Sequence, residues 1–311
     1  MTMTRPFFSA ALVFGMLLLA VAGAIQAAER YKPFVLASRG LGDFEKKIEE
    51  TRDALRMTGF EVLGEYMPYK DTFVDKAYVI VVTNDELKKT ASMSQYGGFA
   101  APWRIGITKV GDEIQIAYPN PVYIANAYRL NNDLNGVSET LRKALGAEET
   151  FNSAKGMTTK KLRKYHYTFG MEYFTDPYEL AKYGSHAEAV AVLEKNLAAG
   201  VAGVTKVYRL DLPKDVTVFG VARRAQSEDG KDMDEQHIMS VVDFSELKGT
   251  AYLPYEIMVD GKKIIALHMR FRMALHYPDL KMVGENSFMN IMPSPNAIFK
   301  AFKAVAGAPE T

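Results

Sequence analysis

Late in the chain, His268, Met269, Met273, His276 and Met282 bring two imidazoles and three thioethers into one short stretch. Thioethers bind Cu(I), and imidazole suits copper in either oxidation state. This group is therefore the candidate centre for a copper-binding or redox-associated protein. An apolar strand explains the same residues: Met269, Phe271, Met273 and Leu275 alternate with His268, Arg270, Arg272 and His276, and methionine is a common filler of core gaps. On that strand reading His268 and His276 stand roughly 26 Å apart and cannot share one ion. All five histidines, His166, His186, His237, His268 and His276, fall in the second half of the chain. No H-E-x-x-H spacing occurs among them, which argues against a zinc hydrolase.

A second constellation joins Arg104, Arg270 and Arg272 to the rings of Trp103 and Tyr255. A guanidinium offers a rigid fork to carboxylate or phosphate, and aromatic rings with polar tips line clefts and interfaces. These five residues are the expected binding site for a small anionic ligand, with packing between modules as the alternative use of the rings. Nucleophile elbows, P-loops and a G-x-G-x-x-G after a strand are all missing from the sequence. The acid pair Asp85-Glu86 sits where a helix N-terminus favours negative charge. No catalytic residue is assigned, and no cofactor other than the copper alternative.

The elements that position these groups come in two sets. Leu141 to Thr150 reads LRKALGAEET and Phe302 to Thr311 reads FKAVAGAPET, the same ending twice. Ile48, Leu55, Val62 and Tyr66 match Val190, Leu197, Val204 and Tyr208 at constant spacing. The stripe Phe44, Ile48, Thr51, Leu55 and Thr58 predicts a helix stopped by Gly59, and Gly200 takes that part in the second set. Tyr78–Val82 and Ile238–Val242 read as a second matched pair, each a buried strand. Ala101–Ile105 matches Leu253–Ile257, and each is followed by a hairpin turn, at Gly111 and at Gly261. The returning strands run over Glu113–Ala117 and Lys263–Met273. Amphipathic helices at Val137–Leu145 and Asn296–Val305 close the sets. Pro33–Ala37 and Tyr165–Phe174 read as opening strands, Asn152–Lys164 as a basic solvated linker, with contact to an anion or a phospholipid headgroup as the alternative, and Arg223–Gln236 as an exposed loop.

Phe44, Gly59-Phe60-Glu61-Val62, Gly97-Gly98-Phe99, Pro102-Trp103-Arg104-Ile105, the turn at Gly111 and Asn120-Pro121 resemble, in that order, the bacterial domain of unknown function numbered 302. The second set matches more thinly, with Glu256 where the pattern has a basic residue. The resemblance implies a small α+β sandwich that pairs with another copy, and it brings no established activity.

Arg5, the apolar run Phe7–Ile25, and Ala27 and Ala28 have the order of a secretory leader. An uncleaved inner-membrane anchor is the alternative, since about 20 apolar residues cross a bilayer; membrane contact is expected only in that case. Cysteine is absent, which excludes disulfides, thiolate metal sites and a cysteine nucleophile. Beyond Arg5 the charges balance, 37 basic against 37 acidic, so no electrostatic affinity for nucleic acid is expected. The expectation is an exported, periplasmic, non-catalytic α+β protein that binds a small ligand or a periplasmic partner protein. Its parts are a leader (1–28) and two tandem sheet-plus-helix modules (29–150 and 151–311) forming an internal pseudo-dimer.

Overall fold

Asp43 begins the first helix by accepting a hydrogen bond from the Lys46 amide at 2.8 Å, an N-cap that satisfies one of the free donors of the first turn. Phe44, Ile48, Thr51 and Leu55 form its buried stripe, and Gly59, at φ 89°, turns the chain out of it. The computed structural model describes residues 28–308 together with Thr2. The expected leader, 1–28, lies outside the described residues but for Thr2 and Ala28.

The first half runs β1 (Phe34–Leu41), α1 (Phe44–Met57), β2 (Glu61–Lys70), β3 (Lys76–Thr83), α2 (Asp85–Ser92), a 3-10 turn (Gly97–Ala100), β4 (Trp103–Val110), β5 (Glu113–Pro119), α3 (Pro121–Ala127), α4 (Asn135–Leu145) and β6 (Glu149–Phe151). After α5 (Thr159–Leu162) the second half runs β7 (Tyr178–Lys182), α6 (His186–Ala198), β8 (Val204–Leu212), β9 (Val216–Arg223), α7 (Glu235–Val242), a 3-10 turn (Thr250–Tyr252), β10 (Tyr255–Asp260), β11 (Lys263–Ala266), α8 (Met269–His276) and α9 (Ser294–Val305). The fold is α+β, with two antiparallel sheets. Their strand orders are β2-β3-β4-β5-β1-β6 and β7-β11-β10-β9-β8. Read from β8, the second order matches the first through its opening five strands. Neither sheet takes a strand from the other half.

Helices α1 and α4 lie on one face of the first sheet, and α6 and α9 on one face of the second. Strand alternation turns the other face of each sheet toward the opposite half. There the 3-10 turns are exchanged. Gly97–Ala100 rests on β9 and β10, while Thr250–Tyr252 rests on β3, β4 and β5. Both approaches need a missing side chain. A Cβ on Gly98 would stand 2.5 Å from the Met258 sulfur, and one on Gly106 would stand 2.8 Å from the Ala251 amide nitrogen.

Several expected strands are something else. Ile238–Val242 belongs to α7, because Asp234 caps the His237 amide and Glu235, Ile238, Met239 and Val242 bury a helical stripe. The strand that answers β3 is β9. The opening strand of the second half is β7, and Tyr165–Phe174 is irregular. The strand expected over Lys263–Met273 ends at Ala266 and a helix follows, so the alternation of apolar residues there came from a helix buried on most sides. Arg223–Gln236 is not simply an exposed loop: Arg223, Met233 and Glu235 are buried. The Asn152–Lys164 linker is tied down by the bridge between Tyr31 and Met157 and by buried Leu162, with its lysines exposed. Among the described residues, no helix is long and apolar enough to cross a membrane.

Candidate functional site

Trp103 and Arg104 open β4, so alternation sends one ring and one charge to opposite faces. Trp103 enters the helix-side core and Arg104 faces the second half. Tyr255 and Glu256 open β10 in the same way, Tyr255 beside Phe302 of α9 and Glu256 toward the first half. Arg104 and Glu256 meet as an ion pair, and Arg104 Nε also donates to the Ala251 carbonyl at 3.1 Å. The other Glu256 oxygen lies 3.3 Å from Arg272 Nη2, which α8 supplies and which donates to the Tyr252 and Pro254 carbonyls. The three charged side chains are at most 2% exposed.

Two guanidinium groups thus share one carboxylate out of reach of water. The Arg272 and Arg223 guanidinium carbons lie 3.9 and 4.4 Å from the Tyr255 ring centroid, a cation–π arrangement that compensates part of the excess positive charge. His276 donates from Nδ1 to the Arg272 carbonyl at 2.9 Å. Burial, with Arg104 and Arg272 nearby, holds its pKa well below the ordinary imidazole value, so it adds no third charge. Trp103 Nε1, Tyr128 Oη, Tyr208 Oη, Arg272 Nε and Nη1, and His276 Nε2 have no protein partner.

The structure brings Arg104, Tyr255 and Arg272 together, but it closes the cleft expected beside Trp103 and Tyr255. Both rings are 1% exposed, and Glu256 already occupies the two arginines. This cluster joins the halves. Arg270, the remaining residue of that set, projects elsewhere on α8 and pairs with Glu172.

The Met/His group is dispersed by the same helix. His268 precedes its first turn, stacks on Tyr178 at 3.5 Å and places Nδ1 3.2 Å from Glu172. Burial, with Arg270 beside it, lowers its pKa. His276 ends the helix among Phe34 and Tyr252, about 12 Å away by helical rise. Met269 and Met273 are core residues, whereas Met282 is exposed and accepts from Tyr167 Oη at 3.3 Å. Arg270, Met273 and Met282 do converge with Met171 and Phe288 on a small apolar pocket of about 40 Å³. Among the described residues, no group of three or more His, Asp or Glu side chains is arranged to hold a metal ion.

The roomier site is one that sequence reasoning missed. Ser92–Gly98, which follows α2, faces the β8–β9 turn Leu212–Lys214 across a groove of about 320 Å³, floored by Val216 and Met258 and edged by Asp260. Both halves wall it. Lys214 takes a left-handed backbone, φ 65°, and its ammonium donates to the Ser92 carbonyl at 2.9 Å. Burial raises the Asp260 pKa, against the pull of Lys263. Matching Ala101–Ile105 to Leu253–Ile257 carries Gly98 onto Thr250 and Met258 onto Gly106. At that corresponding corner the space is filled: Tyr69 bonds Thr250 at 3.3 Å, Phe73 stacks on Tyr69 at 4.9 Å, and Lys248 lies over Phe73. The usable signal in the sequence was the second glycine of Gly97-Gly98, which aligns with Thr250, and the turn Pro213-Lys214-Asp215, which answers Asp71-Thr72-Phe73 in the other half.

Set against family models, curated proteins and solved structures, the chain matches none.

Proposed function

We propose that the protein is an exported, periplasmic, non-catalytic binding protein built from two tandem modules packed as an internal pseudo-dimer. It holds a small polar ligand in the groove between Ser92–Gly98 and the β8–β9 turn. The observation that carries this reading is the groove itself: about 320 Å³, walled by both halves, with its opposite corner plugged by Tyr69, Phe73 and Lys248. That volume falls at the lower end of small-molecule sites. Lys214 receives an anionic end of the ligand, and Asp260 and the Ser94 hydroxyl offer polar contacts beside it.

The shared strand order and the exchanged 3-10 turns support the pseudo-dimer. Export rests on the Arg5 and Phe7–Ile25 pattern. The non-catalytic reading rests on the junction cluster, whose one carboxylate, Glu256, is taken up by Arg104 and Arg272 out of reach of water. A thermal-shift screen of small anions, amino acids and polyols tests the function. A ligand that stabilises the wild type and not Lys214→Ala supports the groove. Stabilisation that survives both Lys214→Ala and a groove-filling Gln95→Trp removes it.

A second reading keeps copper, because Met171, Met273 and Met282 line one pocket. Competition of the purified protein with a Cu(I) chelator decides it: no Cu(I) retained, or retention unchanged in Met273→Leu/Met282→Leu, rules copper out.

A further inference from the structure

The twenty residues from Asn152 to Met171 hold Lys155, Lys160, Lys161, Arg163 and Lys164 and not one carboxylate. The four lysines and Arg163 are exposed, while Leu162 and Tyr165 fasten the segment to the first core. At its end, and just beyond, the chain presents apolar rings to solvent. Phe169 is 99% exposed, and Tyr167 and Tyr173 are about two-fifths exposed. Tyr167 bonds Met282, which brings exposed Met282 and Val283 to the same place. Basic side chains beside exposed aromatic and aliphatic ones are the combination that binds an anionic bilayer: the cations meet phosphate headgroups and the rings enter the interface.

The chain's N-terminal path points to the same partner. Tyr31 and Met157 exchange backbone hydrogen bonds of 2.9 and 2.8 Å, and Arg30 donates to the Lys155 and Gly156 carbonyls at 2.7 and 2.9 Å. The described chain therefore begins next to the basic segment, and the apolar run Phe7–Ile25 precedes it in the sequence. We propose that the face formed by Lys155–Lys164, Tyr167, Phe169, Met282 and Val283 docks on an anionic membrane surface. The docking is a property of the folded body and does not require the N-terminal run to stay in the bilayer.

Vesicle co-sedimentation tests this, with the full chain and with a chain starting at Ala28, which keeps every element and both cores. Vesicles of phosphatidylcholine alone are compared with vesicles containing phosphatidylglycerol. The expected result is binding of the Ala28 chain to the anionic vesicles only, weakening as salt is added. Lys160→Ser/Lys161→Ser/Lys164→Ser should lower the partition roughly a hundredfold, since each cation near such a surface contributes about fivefold. Phe169→Ala should lower it about tenfold. Emission from F169W should shift to the blue with anionic vesicles only. Equal binding to both vesicle types, a triple-lysine variant that binds as the wild type does, or tighter binding to RNA than to vesicles would overturn the proposal. The altered side chains are exposed, so an unchanged melting temperature in each variant ties any loss to the surface.

Discussion

Glu256→Gln is the sharpest test of how the two halves are held together. The substitution keeps size and an acceptor oxygen but removes the one negative charge that faces both Arg104 and Arg272. A guanidinium cannot escape by losing its proton, so the variant must bury two uncompensated cations or open the junction to water. Removing one partner of a buried ion pair typically costs about 3–5 kcal/mol. Here two cations depend on one carboxylate that is 1% exposed, so the upper part of that range is expected. For a chain of this size, about 4 kcal/mol lowers the melting temperature by roughly 10 °C. Calorimetry and urea unfolding should agree on that loss. Arg104→Met and Arg272→Met each leave a one-to-one pair with Glu256, so both should cost less than Glu256→Gln. Arg272→Met removes the unpartnered Nε and Nη1 but also takes a donor from the Tyr252 and Pro254 carbonyls, so its cost should fall between those of Arg104→Met and Glu256→Gln. A Glu256→Gln variant within about 1 kcal/mol of wild type, or one more stable than Arg272→Met, would refute the account.

Gly106→Ala drives a methyl group against the Ala251 backbone and should cost about 2–3 kcal/mol, whereas Gly98→Ala meets mainly the flexible end of Met258 and should cost about half as much by urea unfolding. Burial pushes the Glu235 carboxyl up to about 7 and that of Asp243 up to about 6. Both bind protons more tightly when folded, so the stability they give is complete below the unfolded value near 4 and is lost as pH rises through 6 to 7. For Glu235 the swing is about 3 kcal/mol; Glu235→Gln should therefore shrink the stability difference between pH 5 and pH 8, and an unchanged difference rejects the assignment. Buried neutral His276 acts in the opposite sense as pH falls, so the variant is compared with wild type at each pH. Lys214→Ala, exposed in the β8–β9 turn, should leave the melting temperature within about 1 °C while abolishing the shift produced by whichever ligand the screen finds.

Most of the first half was legible in the sequence because its elements carry their own local signals, although α3 and β6 went unforeseen. Asp43 and Asn84 cap helices, Gly111 makes a hairpin, and the stripe Phe44–Leu55 has one period only. The second half misled where burial was nearly complete. Met269, Phe271, Arg272, Met273, Leu275 and His276 are all buried, so polarity no longer marks one face and a helix can pass for a strand. Ile238–Val242 was mistaken in the same way, since Asp234 was not recognised as a cap. Arg104 and Arg272 were correctly singled out as chemistry-bearing residues, but their use was misjudged. Sequence shows that a guanidinium is present, while only the fold shows that a carboxylate from the other half has reached it first. The groove was invisible for a related reason: it is defined by two turns more than a hundred residues apart and by the absence of a filler that the opposite corner possesses.

Position 104 and its counterpart, 256, carry the argument about why the halves differ. In a symmetric pair, a residue near the two-fold axis faces its own copy. Two arginines meeting there, both under 2% exposed, would repel in a medium that screens poorly. The exchanged contacts, Gly98 on Met258 and Thr250 on Gly106, flank the place where 104 and 256 meet, and this chain has Arg on one side and Glu on the other. Joining two modules in one chain makes that solution available, because the two positions can then change independently. The same independence extends outward from the axis. One corner is packed shut by Tyr69, Phe73 and Lys248, which anchors the halves, and the other is left open with Lys214 at its rim. Under the proposed function, the central charges and the packed corner hold the halves together while the open corner takes the ligand.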